Sequence, residues 1–157
     1  MTNHVHLLLT PGEPGACGSL MKNVGQHYVQ HVNRVHGRTG TLWEGRFRSS
    51  LAASAEYVLA CYRYIELNPV RAGLADHPSK YEWSSYGHNA EGQMQSLLAP
   101  HPVYSGLEDA PELRRRTYRG LFDVPMQGET LDEIRSAVRN GRALGSERRG
   151  RGRPSEK

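Results

Sequence analysis

Cysteine is nearly absent: Cys17 and Cys61 are the only two, and they form no spaced framework. That excludes a disulfide scaffold and a cysteine-rich zinc site, and makes a reducing cytoplasm the expected compartment. Apolar residues are sparse too, at 37% hydrophobic and 8% aromatic. Such a chain can build a small core, not a large one. It has no apolar run of about 18 residues, so no membrane span is expected. Met1 is followed directly by polar residues, without the pattern of a signal peptide. The G-x-S-x-G, P-loop and G-x-G-x-x-G signatures are all missing.

What remains is a chain of 157 residues, the size of one domain or one domain with a tail. Its net charge is +4, unevenly spread. Residues 1–75 carry 7 basic and 4 acidic groups, residues 76–141 carry 7 and 10, and residues 142–157 carry 6 and 2. The first half and the tail are basic and the middle is acidic. A pI near 9.3 points weakly to an anionic partner.

His4–Thr10 alternates like a buried strand and runs into the Pro11–Gly15 turn. A helix is expected from Ser19, with Leu20, Val24, Tyr28, Val32 and Val35 at helical spacing and Gly37 as its stop. Phe47–Ala53 suits a short strand. A second helix is expected from Ser54 to about Leu67, ended by Asn68–Pro69. Tyr81–Tyr86 should pack on the domain, and 87–110 reads as loop-rich. Pro111–Phe122 suits a short helix, and its arginines 114–116 a solvated face. Thr130 and Glu133 form a capping box for a helix to about Asn140. Residues 145–157 are basic and of low complexity, the composition of a disordered tail.

Two patterns carry chemistry. In a strand, His4 and His6 project to the same side while Val5, Leu7 and Leu9 take the other. Two such imidazoles suit one divalent cation, or are simply two polar strand residues. In the second helix Tyr57, Cys61, Tyr64 and Asn68 form one stripe at i, i+4, i+7 and i+11. Tyr64 and Asn68 then read either as a nucleophile with an amide oxygen beside a cation, or as a core aromatic and a cap before Pro69. A phenol with a free pKa of ~10 is a weak nucleophile unaided. His27 and His31 are spaced for zinc, but no Glu follows His27, so they read as a polar helix face.

The segments MTNHVHLLLTP, GRTGTLWEGRFRS, YRYIELNPVRAGL and YEWSSY occur in this order with short spacers. Together they resemble the REP-associated tyrosine transposases, a branch of the HUH-type single-tyrosine superfamily. The resemblance is dense over residues 1–87 and fainter beyond. It implies an α+β fold: a small antiparallel sheet with helices on one face, related to the ferredoxin-like HUH fold. It also implies a catalytic domain over 1–87, a helical C-terminal extension over 88–144 and the basic tail over 145–157.

By the same resemblance, His4 and His6 match the histidine pair that binds Mg²⁺ or Mn²⁺, and Asn68 the position of the third ligand. Tyr64 matches the tyrosine that attacks single-stranded DNA, leaving a 5′-phosphotyrosine link and a free 3′-OH. Tyr62 is the rival nucleophile, but it lies off the stripe that holds Asn68. Arg46, Arg48 and Arg71 fall in family motifs and would contact DNA phosphates. Trp43 either stacks on a base or fills the core, and the core is favoured. The expected partner is single-stranded DNA, as a hairpin or repeat element, in the cytoplasm. The family also carries a strand and a helix ahead of the histidine strand, so a shortened N-terminus is expected, as a truncated copy or through a start upstream. A binding remnant without catalysis, or an inactive fragment, is the competing expectation.

Overall fold

The computed structural model describes Met1 and residues 3–145. The expected basic tail, apart from Gly145, lies outside the described residues. Helix accounts for 51% of the structure and there is no sheet among the described residues. The elements are α1 (Ala16–His36), α2 (Ala55–Glu66), α3 (Asn68–Arg71), a 3₁₀ turn (Pro78–Lys80), α4 (Tyr86–Glu91), α5 (Pro102–Ser105), α6 (Pro111–Gly120) and α7 (Gly128–Asn140). No helix among the described residues is long and apolar enough to cross a membrane.

The expected α+β fold with a small antiparallel sheet is therefore corrected to a helical one. His4–Thr10 is irregular, and residues 3–12 make no backbone–backbone hydrogen bond among the described residues. Alternation describes an extended chain, but a strand exists only when a neighbour takes up its N–H and C=O groups. Phe47–Ala53 does not supply that neighbour. Its single bridge is parallel, between Ala52 and Leu144. Leu144 N–H donates to Leu51 at 2.7 Å, and Ala53 N–H to Leu144 at 3.2 Å. The apolar side of the first segment stays open, with Val5 71% and Leu7 53% exposed.

Helix boundaries follow local chemistry. The Ser54 side chain accepts from Tyr57 N–H at 3.3 Å and caps α2. After a turn at Leu67 the chain re-enters helix as α3, whose second residue is the buried Pro69. α1 starts at Ala16, three residues ahead of the expected Ser19, and ends at the left-handed Gly37 (φ +60). α7 starts at Gly128, so Thr130 lies within the helix and the expected capping box is not made.

The chain divides into two compact units, Leu9–Arg48 and the remainder. In the first, Trp43 packs on α1: its indole N–H donates to the Gly25 carbonyl at 3.2 Å, and its ring lies 5.7 Å from that of Tyr28. A Cβ at Gly25 would sit 3.3 Å from the indole nitrogen, so glycine permits this close approach. The other unit has two small cores beside α2. Tyr86, Ala90, Tyr104 and Tyr118 form one, with Tyr62 and Phe122 against it. Ile134, Ala137 and Leu144 form the second, with Tyr57, Cys61 and Tyr64 against it. Of the YEWSSY segment, Tyr86 is buried whereas Trp83 is 79% exposed.

Glu66, at the end of α2, is fully buried. Its carboxylate accepts from the Ser85 hydroxyl at 2.6 Å, the Asn89 amide at 2.9 Å and the Tyr118 hydroxyl at 2.8 Å. Burial raises the Glu66 carboxyl above the usual range, although the three donors pull it down. The fold then holds this proton more tightly than the unfolded chain does. That contribution to stability is complete below the unfolded pKa and is lost as pH rises through the folded one. Glu66→Ala strands three donors and should cost about 3 kcal/mol or more in chemical denaturation. Glu66→Gln should cost less and should remove part of the fall in stability from about pH 4 upward. An unchanged pH profile in the Gln variant would reject this role.

Candidate active site

The helical stripe of α2 brings Tyr64 to the same face as Asn68, which opens α3. The extended N-terminal segment lies against that face. The His6 and Tyr64 rings meet T-shaped with centroids 5.5 Å apart, and the His4 and His6 rings meet at 4.9 Å. The Asn68 amide nitrogen is 3.5 Å from His4 Nε2. A half-turn of that amide presents its oxygen there instead. Both histidines thus project to one side, as alternation requires, without a sheet to hold them.

The imidazole nitrogens suit metal ligation. His4 Nδ1 lies 2.8 Å from the Asn3 side-chain oxygen, which makes Nδ1 the donor and leaves a lone pair on Nε2. His6 Nε2 is buried and has no hydrogen-bond partner among the described residues. Burial, then the neighbouring His4, lower the His6 pKa and favour the neutral imidazole that ligation needs. No three His, Cys, Asp or Glu side chains gather at one point among the described residues. The protein's donors at this spot are two imidazoles and the Asn68 amide. That set fits a divalent cation that keeps other positions for outside oxygens, and suits Mn²⁺ better than the strictly oxygen-seeking Mg²⁺.

Tyr64 is half-buried, and its hydroxyl makes no hydrogen bond among the described residues. Other tyrosines are engaged. The Tyr57 hydroxyl donates to Glu133 at 3.0 Å, that of Tyr104 to the Asn89 carbonyl at 2.7 Å, and that of Tyr118 to Glu66. Burial and the adjacent Glu66 push the Tyr118 phenol well up. Tyr62, the rival nucleophile, stands in the aromatic core, 6.0 Å from Tyr118 and 6.4 Å from Tyr104 between ring centroids. Burial raises its phenol as well.

No family model, curated protein or solved structure matches the chain. The motif resemblance stands on the residues alone.

The expected site residues fall into two groups. His4, His6, Tyr64, Asn68 and Arg71 meet in one unit. Arg46 and Arg48 lie in the other unit, exposed and without an ion pair among the described residues. Trp43 lies on α1 there. The arginines at 114–116 are partly committed to structure: Arg114 donates to the Glu108 carbonyl at 2.9 Å and the Asp109 carbonyl at 3.0 Å, and Arg115 pairs with Glu112. Sequence reading missed Asn3, which sets the His4 tautomer. Its signal was only adjacency to the histidine pair.

Because the Tyr64 hydroxyl has no partner among the described residues, Tyr64→Phe should leave unfolding free energy within about 0.5 kcal/mol of the parent. Tyr118→Phe removes a buried bond to a carboxylate and should cost about 1.5–3 kcal/mol. Denaturant titration of both variants checks the contrast. A large loss in Tyr64→Phe would assign that hydroxyl to the core.

Proposed function

We propose that the chain is a transposase-like DNA strand transferase, cleaving and rejoining single-stranded DNA through Tyr64. The observation that carries this reading is the meeting of an unbonded phenol with two imidazoles and an amide at one spot. The ordered motifs resembling REP-associated tyrosine transposases support it.

The Tyr64 oxygen attacks the phosphorus of a phosphodiester. A bond to the tyrosine forms as the bond to the 3′ oxygen breaks. The phenol gives up a proton and the departing 3′ oxygen takes one, so no proton is consumed. The product is a 5′-phosphotyrosine and a 3′-OH, and attack by a 3′-OH reverses the step. Phosphodiester is exchanged for phosphodiester, so the bond is conserved for strand transfer rather than lost to water. His4, His6 and Asn68 would hold a divalent cation, which would supply charge stabilisation for the phosphate and the leaving oxygen. In the other unit, Arg46 and Arg48 are exposed and have no ion pair among the described residues, which leaves them available to phosphates.

Those arginines also favour a second reading, a nucleic-acid-binding protein without catalysis. The two readings part in one assay. The chain is incubated with labelled hairpin-bearing single-stranded DNA and Mn²⁺, then run on a denaturing gel. A covalent adduct is expected with the parent, none with Tyr64→Phe, and a loss of at least about 100-fold with His6→Ala. Salt-sensitive binding with no adduct would support the binding protein instead.

A further inference from the structure

Arg71 ends α3, and two contacts tie it to a single residue. Its guanidinium carbon lies 4.7 Å from the centroid of the Tyr64 ring, over the ring. Its Nη2 donates to the Tyr64 backbone carbonyl at 2.6 Å. That carbonyl belongs to the last turn of α2, where the ladder runs out of donors. One cation therefore completes the end of the helix and covers the ring that the helix presents. The His6 ring meets the same phenol T-shaped at 5.5 Å. Arg46 and Arg48, by contrast, have no partner among the described residues and remain free for an outside anion.

We propose that Arg71 is a positioning residue for the Tyr64 phenol, and not one of the phosphate contacts. The proposal rests on Tyr64 being the nucleophile, and deepens that reading. In-line attack tolerates little misplacement: about 1 Å costs about 100-fold in rate. A ring held at one face and through its own carbonyl has few other places to go. Lysine cannot reproduce this hold, because an ammonium lacks the flat fork that stacks and donates together.

The test uses the full chain with Arg71→Ala and Arg71→Lys, scored for DNA affinity against salt and for adduct formation at saturating DNA. For a positioning residue, both variants should form adduct about 10-fold or more slowly. Affinity should stay within about 2-fold and the salt slope should not change. For a phosphate contact, Arg71→Ala should weaken binding and reduce the salt slope by about 1, and Arg71→Lys should restore most of both. That second pattern overturns the proposal. Proton NMR of the Tyr64 ring, without DNA, is the independent readout. Its signals should shift in both variants, and unchanged signals would overturn the proposal whether or not an adduct forms. An adduct that persists in Tyr64→Phe would instead sink the nucleophile assignment, so the two failures are distinguishable.

Discussion

Donors from Ser85, Asn89 and Tyr118 converge on the Glu66 carboxylate, which no solvent reaches. A carboxylate in such a place is tolerated only while its oxygens are satisfied. The tie thereby fixes the rotation of α2 against α4 and α6. Tyr62 lies four residues before Glu66, on the same stripe, and is carried into the aromatic core. Tyr64 lies about 200° around the helix from Glu66 and faces the histidine segment. Which tyrosine faces the histidine segment thus depends on an acid that touches neither that segment nor the Tyr64 phenol.

The stripe of Tyr57, Cys61, Tyr64 and Asn68 was legible because helical periodicity is local and strong. So were the start of α2 at Ser54 and the stop of α1 at Gly37. The sheet was not. Alternation in His4–Thr10 marks an extended chain, but pairing depends on which segments are nearby. Here the nearest ladder contact of the second expected strand is Leu144, far along the chain. The capping box at Thr130 failed for a related reason. The pattern was present, but α7 begins at Gly128, so the residue that would cap is already inside.

The buried acid was invisible for the opposite reason. Glu66 looks like any polar helix position until three elements, from Ser85 to Tyr118, close around it. Within the candidate site, residue type and spacing left His4, His6 and Tyr64 open between a site and ordinary packing, and only the ordered motifs put them together. Asn3 as the setter of a tautomer was not readable, because a side chain's hydrogen bond to its neighbour depends on rotamer rather than on pattern. Arg46 and Arg48 have no partner among the described residues, whereas Arg71, itself exposed, lies over the Tyr64 ring and donates to its carbonyl.

His4 and Asn68 are separated by 64 residues, and the segment carrying His4 makes no ladder bonds. Closing that loop costs entropy before any contact in the site returns a benefit. The helices around Glu66 depend on shorter-range contacts and can assemble without it. The histidine segment is held by side-chain contacts, with no backbone ladder among the described residues. Local opening of that segment would uncover one side of the Tyr64 ring while leaving α2 intact.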